Sequence, residues 1–177
     1  VEPIRDTEGR TEYDVVCHLP MESYLPGVVG KELYPSWRPA TFEAQAIAAR
    51  SFAVCERAFW IRRRHYDLVA GQASQAWSGG EASTRATSAV RATTGQLLVW
   101  RGQVVPAYYS AACGGLRANA EDAISKNPVN GIPPLRATAA TGRPACGCVG
   151  SSSHGDWTVT ISRNAFEAEV AEFGRRK

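Results

Sequence analysis

Glu32 is the side chain best placed for acid–base chemistry in this sequence. It lies where a predicted helix gives way to a loop, because Pro35 disfavours helix in the residue before it. The loop that follows carries two aromatic side chains, Tyr34 and Trp37. Aromatic neighbours can exclude water from a carboxyl group and stack on a ligand, so we expect Glu32 to act as a general acid. The alternative is a surface glutamate beside Lys31.

Two polar side chains interrupt the longest apolar pattern of the chain. Residues 39–62 are predicted to form a helix that is apolar on two sides, which is typical of a central, packed helix. Gln45 and Arg50 lie within it, and buried polar groups need hydrogen-bond partners. They are expected either to orient Glu32 and bind ligand hydroxyl groups or to form a purely structural network. Glu43 is expected to pair with Arg50, and direct catalysis is its alternative role.

The cysteines indicate an oxidising compartment. Five cysteines are more than a cytosolic domain usually needs, and Cys146 and Cys148 lie in a loop rich in Pro, Gly and Ser. A disulfide between Cys113 and either of them would staple two glycine-rich loops. The same three thiols and His154 have the donor types of a structural zinc site. Free thiols are the third alternative, and no other cofactor is expected.

The composition excludes two classes of function. The net charge is +3 and 44% of the residues are hydrophobic, as in an ordinary soluble domain. No run of 18 apolar residues occurs, so no membrane span is expected. The one basic run, residues 62–65, suits a helix C-terminus better than a nucleic-acid surface. The chain begins in polar residues without Met, so we expect a processed or trimmed product.

The remaining pattern predicts an α+β fold, a single domain over residues 1–177 with a central buried helix and a small antiparallel sheet. Glu22 in the first turn of a helix is explained by the helix dipole. Tyr108 and Tyr109 are expected to point to opposite faces of a strand. Strands are predicted at residues 12–17, 66–70 and 157–161, a hairpin at 96–110, and further helices at 20–34, 81–94, 119–126 and after Ser162.

Four blocks of this sequence resemble, in order, those of the SpoIID/LytB family. The resemblance spans residues 13–166, and its first two blocks together are specific. The blocks are LPMESYLPGVVGKE at residues 19–32, EAQAIAARSFA at 43–53, AV at 89–90 followed by TGQ at 94–96, and AYYS at 107–110 followed by Gly114-Gly115 and Glu121-Asp122.

The resemblance implies cleavage of the glycan strands of bacterial peptidoglycan. Members similar to the sporulation protein are lytic transglycosylases of strands stripped of stem peptides, and the acid that closes the first block, here Glu32, is their catalytic residue. Other members are described as enhancers of a wall amidase. The expected partners are therefore glycan strands and a cell-wall amidase. The expected location is extracytoplasmic: the cell wall, the periplasm or the medium.

A transglycosylase of this kind needs only one carboxyl group. The 6-hydroxyl group of the muramic acid attacks its own anomeric carbon, and this intramolecular attack supplies the proximity that a second residue would otherwise provide. A plain glycoside hydrolase needs a second placed carboxylate, which the sequence does not single out. A module that binds glycan and activates an amidase without cleaving is the alternative function.

A substrate cleft is expected around Glu32. Its glycines would let the backbone approach a ligand closely. Relatives often carry a His-Cys pair before the Gln of residues 71–77, which can hold zinc, but this stretch reads GQASQAW and keeps only the Gln. No zinc is therefore expected there. The predicted substrate-binding residues are Gln45, Arg50, Gln75, Tyr109, Ser110, Gly114 and Gly115.

Overall fold

The computed structural model describes residues 3–5, 11–71, 73–80, 82–110, 118–137, 158 and 160–175. Its strands and helices follow one another as β1 Pro3–Arg5, β2 Thr11–Tyr13, α1 Met21–Glu32, α2 Pro39–Trp60, α3 Thr84–Ala92, β3 Val99–Trp100, β4 Gln103–Val104, α4 Ala120–Ala123 and α5 Arg163–Arg175. Two short 3₁₀ helices, Pro128–Gly131 and Pro133–Leu135, lie between α4 and α5. The predicted α+β class is confirmed, with two antiparallel strand pairs, β1–β2 and β3–β4.

Two compact units make up the chain. The first comprises Val1–Tyr109 and Asn119–Arg136, and the second Ser110–Ala118 and Ala137–Lys177. The expected boundaries of one domain over residues 1–177 stay a prediction. In the second unit, the Ser162 hydroxyl accepts a hydrogen bond from the Ala165 N–H at 3.2 Å, so Ser162 caps α5 as expected. No helix in the described ranges is long and apolar enough to cross a membrane.

Helix α2 is the centre of the first unit, as its sequence pattern predicts. It begins at Pro39, where proline suits the first helical turn, and it ends two residues before the expected end. Helices α1 and α3 both pack against it. The shared core consists of Leu25, Val28 and Val29 from α1, Phe42, Ala46 and Ala49 from α2, and Ala86, Ala89 and Val90 from α3.

The β3–β4 hairpin turns at the expected place but is shorter than expected. Arg101 and Gly102 both have positive φ, 49° and 79°, which suits a tight two-residue hairpin turn. The Ser51 hydroxyl of α2 accepts a hydrogen bond from the Leu98 N–H at 2.9 Å and so ties the hairpin to the central helix. Regular pairing ends at Val99 and Val104. The Val105 N–H still donates to the Leu98 carbonyl at 2.8 Å, but the Leu98 N–H is taken by Ser51 and cannot return the bond.

The two tyrosines after the hairpin do not alternate faces, so that expectation is wrong. The Tyr108 N–H donates to the Pro106 carbonyl at 2.9 Å, which closes a three-residue turn in place of a strand. Both rings consequently meet Phe52 of α2 edge-on, with centroid distances of 6.0 Å for Tyr108 and 6.4 Å for Tyr109.

Other predicted elements are shorter or missing. The strand expected at residues 66–70 is reduced to a single bridge between Ala70 and Gln75, and Thr158 and residues 160–161 belong to no strand. Helix α3 begins only at Thr84, because the Ser83 hydroxyl caps it by accepting from the Ala86 N–H at 3.2 Å. The helix expected at residues 119–126 has one turn. Strand β2 ends at Tyr13, four residues early.

Gly27 is where the loop of residues 77–79 crosses α1. A Cβ atom at this position would lie 2.6 Å from the Gly79 carbonyl oxygen and 2.7 Å from Trp77 Nε1. The Ser78 hydroxyl and N–H both donate to the Gly27 carbonyl, at 3.1 and 3.4 Å. The missing side chain therefore lets the loop lie directly on the helix.

We expect Gly27→Ala to lower the free energy of unfolding by about 1–3 kcal/mol, because the added methyl group has no room. Gly30→Ala is the matched control in the same helix. Its Cβ would meet nothing closer than 3.7 Å, so alanine should raise the free energy of unfolding by up to about 1 kcal/mol. Urea unfolding measures both changes. Equal stabilisation by the two substitutions would contradict the close crossing at Gly27.

Candidate functional site

Gln75 is the centre of a buried network that joins four segments of the first unit. It is only 1% exposed. Its Oε1 accepts from the Tyr24 hydroxyl at 3.1 Å, and its Nε2 donates to the Tyr109 hydroxyl at 3.0 Å and to the Ala49 carbonyl at 3.1 Å. Both amide protons are thus used within the protein. The structure places Gln75 as the residue that holds the two tyrosines in position.

Glu32, the last residue of α1, lies beside these tyrosines and is half-buried. Burial is the largest cause that raises the pKa of Tyr24 well above its usual range, and the nearby Tyr109 and the negative charge of Glu32 raise it further. Burial also raises the pKa of Tyr109 to about 12, against the lowering effect of the Gln75 hydrogen bond, and Glu32 adds to the rise. The predicted acid therefore has two neutral phenols near it.

The high pKa of Tyr109 makes a prediction about alkaline stability. A phenol titrates near pH 10 in an unfolded chain and near pH 12 here, so its contribution is complete below pH 10 and is lost as the pH rises through 12. We expect Tyr109→Phe to lose less stability between pH 9 and pH 11.5 than the wild type does. Urea midpoints at the two pH values measure this. An equal loss in both proteins would contradict the burial of this hydroxyl.

Gln45 of α2 lies beside the Tyr109 hydroxyl, whose pKa it lowers. Its Nε2 is shielded from water, yet it makes no hydrogen bond of normal geometry with the described residues. A buried donor without an acceptor costs about 1–3 kcal/mol, and the neighbouring Tyr109 hydroxyl is the group that can offset this cost. The structure thus places Gln45 next to the Gln75 network.

Arg50 uses all five of its N–H donors within the protein. The guanidinium group forms a two-pronged ion pair with Glu22 of α1, with both N–O distances 2.8 Å. It also donates to the carbonyl oxygens of Val90 at 3.3 Å, Gln96 at 3.2 Å and Ala46 at 3.5 Å. The side chain is 2% exposed and has no donor left for a ligand. Of the two roles expected for Arg50, the structure favours the structural network.

The expected pairing of Arg50 with Glu43 is wrong. Glu43 is exposed and lines a separate depression with Arg85 and Ser88 of α3. Glu22 takes its place because α1 crosses α2 at the height of Arg50, a tertiary contact that sequence spacing does not reveal. The helix dipole alone therefore does not account for Glu22.

The loop that follows Glu32 presents an aromatic surface. Tyr34 is 70% exposed and Trp37 43%, and their ring centroids lie 5.8 Å apart. Arg85 Nη1 donates to the carbonyl oxygens of Pro35 and Trp37, at 2.5 and 2.6 Å. The two rings are thus held from α3 by backbone contacts, which leaves both of them accessible.

Several predicted residues lie elsewhere or outside the described part of the chain. Ser110 is exposed and belongs to the second unit. Among the described residues no three His, Cys, Asp or Glu side chains cluster as metal ligands, and Cys17 and Cys55 are free thiols. The expected cleft glycines and the disulfide or zinc ligands lie outside the described residues, namely Gly114, Gly115, Cys113, Cys146, Cys148 and His154.

Comparison with known proteins places the chain among cell-wall and sporulation proteins by name. It is 32% identical to an uncharacterized protein of Brachyspira hyodysenteriae over 61% of this chain and 30% of that protein. It is 26% identical to the amidase enhancer of Bacillus subtilis over 82% of this chain and 18% of that protein. It is 29% identical to stage II sporulation protein D of Bacillus amyloliquefaciens over 67% of this chain and 39% of that protein.

The chain spans two fifths or less of the length of these relatives. No solved structure matches it. The family model described as Stage II sporulation protein matches residues 9–100, which is more than half of the chain and includes α1, α2 and Gln75. On this match, and with Glu32 at the end of its first motif, the chain belongs to the SpoIID family.

Proposed function

We propose that the chain acts on bacterial cell-wall peptidoglycan, outside the cytoplasm, as a lytic transglycosylase with Glu32 as its acid. The bond cleaved is the MurNAc–GlcNAc glycosidic bond. The observation that carries the proposal is the half-buried Glu32 beside two neutral phenols at the end of the first family motif. The names of its relatives, sporulation protein and amidase enhancer, support a role at the cell wall.

The reaction needs a single carboxyl group that changes its role. Glu32 donates its proton to the glycosidic oxygen as the bond to the muramic anomeric carbon breaks. The muramic 6-hydroxyl oxygen then bonds to that carbon, and the Glu32 carboxylate takes the hydroxyl proton. Glu32 is protonated again at the end, by the proton of the muramic 6-hydroxyl group, while its original proton stays on the GlcNAc hydroxyl group, so no water is consumed. The products are a 1,6-anhydroMurNAc end and a free GlcNAc hydroxyl group.

The residues around Glu32 have supporting parts in this scheme. Tyr24 and Tyr109 stay protonated at neutral pH and offer hydroxyl groups beside the acid, in positions that Gln75 fixes. Gln45 lies beside the Tyr109 hydroxyl and supports its position. The exposed rings of Tyr34 and Trp37 suit the apolar faces of sugar rings.

An activating role is the second candidate. The amidase enhancer of Bacillus subtilis aligns with 82% of this chain, so the same surface can serve to bind glycan strands and stimulate an amidase without cleaving them. In that case Glu32 would contribute to binding and not to a chemical step.

Digestion of purified peptidoglycan separates the two functions. Strands with and without stem peptides are incubated with the protein, and the fragments are identified by mass spectrometry. We expect new fragments, mainly from stripped strands, and none with Glu32→Gln. No fragments from either substrate, together with amidase stimulation that survives Glu32→Gln, would identify an activator.

A further inference from the structure

A groove of about 650 Å³ runs through the first unit on one side of Tyr109. Its volume falls within the range of about 300–1,000 Å³ that is typical of ligand sites. The second half of α2 forms one wall, and the segment from α4 to the first 3₁₀ helix forms the other. The groove is lined by, among others, Phe52, Glu56, Tyr108, Tyr109 and Asn127.

Part of the groove lining is aromatic and rigid. Phe52 holds the rings of Tyr108 and Tyr109 edge-on, and the Tyr108 hydroxyl donates to Asn130 Oδ1 at 2.8 Å. Asn130 is fully buried, and its amide donates to both the carbonyl and the hydroxyl oxygen of Ser125, at 3.0 Å each. A buried amide with every group paired thus fixes the wall before any ligand arrives.

Each wall of the groove also offers a polar group that the protein does not use up. Glu56 Oε2 accepts from the Trp60 indole at 3.0 Å, and among the described residues nothing bonds to its Oε1. Glu56 lines the groove together with Cys55 and Tyr108. Burial is the largest cause that raises the pKa of both Cys55 and Tyr108, and the negative charge of the nearby Glu56 raises each of them further. Asn127 uses its Oδ1 to accept from the Val129 N–H at 3.2 Å and presents its amide NH₂ group.

This combination matches the chemistry of a sugar ring. A pyranose has an apolar C–H face that packs on an aromatic ring, and hydroxyl and acetamido groups that pair with carboxylates and amides. Glu56 and Arg63 bring one charge of each sign to the lining, so the groove does not select a strongly charged ligand. Tyr109 belongs to both places, since its hydroxyl group joins the Gln75 network beside Glu32 and its side chain lines the groove.

We infer that the groove is a second saccharide site, which holds the glycan strand beyond Tyr109 by means of Glu56, Asn127 and the aromatic wall. The inference rests on the proposed action on glycan strands and adds where the strand continues after the bond at Glu32. A strand that reaches both places makes additional contacts, so affinity rises with strand length.

The test measures affinity against strand length by isothermal titration calorimetry in the Glu32→Gln protein, which does not consume its ligand. The probes are a stripped disaccharide and stripped strands of eight sugars. Glu56→Ala and Asn127→Ala should each weaken binding of the longer strand about tenfold, the order expected for one lost hydrogen bond to a charged or polar ligand group. Binding of the disaccharide should not change.

Controls guard against damage to the fold. Glu43→Ala removes an exposed carboxylate from the same helix outside the groove and should bind both probes like its parent. Glu56→Gln keeps an acceptor for the Trp60 indole and the packing of the side chain. It should weaken long-strand binding several-fold with an unchanged melting temperature.

The outcomes are distinct for the two proposals. Long strands that bind Glu56→Ala and Asn127→Ala as tightly as the parent, while the wild type still cleaves glycan, overturn the groove alone. Displacement of the long strand by a free stem peptide shows that the groove binds peptide and also overturns it. No binding of either probe together with no cleavage overturns the proposed function and the groove with it.

Discussion

Glu32→Gln should lower the turnover of glycan strands by a factor of about 10²–10⁴, the usual contribution of a general acid. The amide keeps the size of the side chain and its capacity for hydrogen bonds, but it cannot supply the proton or take one back. Strand affinity should therefore stay within a few-fold of the wild type. Single-turnover digestion with a separate binding measurement resolves the two quantities.

Glu43→Gln is the matched control for this result. Glu43 is an exposed carboxylate in the first turns of α2, and we expect its amide variant to keep wild-type turnover. Anhydro ends produced equally well by Glu32→Gln and the wild type would show that Glu32 is not the acid. A collapse of turnover in Glu43→Gln alone would transfer that role to Glu43.

Arg50→Lys should lower the free energy of unfolding by about 3 kcal/mol or more, because a buried ion pair that loses its geometry leaves a poorly compensated charge. Lysine has three donors on a point charge and cannot reproduce the planar fork that now binds Glu22 and three carbonyl oxygens. Glu22→Ala should cost somewhat less, because its side chain is 38% exposed and water can enter. Activity should fall with stability in both variants.

Arg91→Lys provides the control for Arg50→Lys, since Arg91 is exposed in the last turn of α3. Replacing its planar guanidinium group by an ammonium group should change the free energy of unfolding by less than about 0.5 kcal/mol. Urea unfolding gives all three values. An Arg50→Lys protein that unfolds like the wild type but has lost all turnover would show that Arg50 contacts the substrate directly.

The parts of the fold that the sequence predicts well are set by local pattern. Helix α2 was expected at residues 39–62 and occupies Pro39–Trp60, because its start is fixed by a proline and its apolar positions repeat with helical period over six turns. The hairpin turn at Arg101-Gly102 is likewise local. The strands were predicted less well, since pairing depends on partners distant in sequence: the Ser51 hydroxyl of α2 takes the Leu98 N–H that a longer hairpin would use.

The site shows the same division. Glu32, Gln75 and Tyr109 could be chosen from the sequence. The structure brings them together, since Gln75 bonds to Tyr109 and Glu32 lies near that phenol. Tyr24 could not be chosen, because it lies on the apolar side of α1 and nothing in that pattern reveals a hydroxyl bonded to a residue 51 positions away. The Glu22–Arg50 ion pair was missed for a similar reason, because it depends on how two helices cross.

Digestion of stripped peptidoglycan in ¹⁸O-labelled water tests the central claim most directly, because it reports which oxygen attacks the sugar. If Glu32 is the only acid and the muramic 6-hydroxyl is the nucleophile, mass spectrometry will find 1,6-anhydroMurNAc ends without ¹⁸O, and Glu32→Gln will produce few of them. Reducing muramic ends that carry ¹⁸O would mean that water attacks and that a second carboxylate takes part, which would contradict the single-acid mechanism.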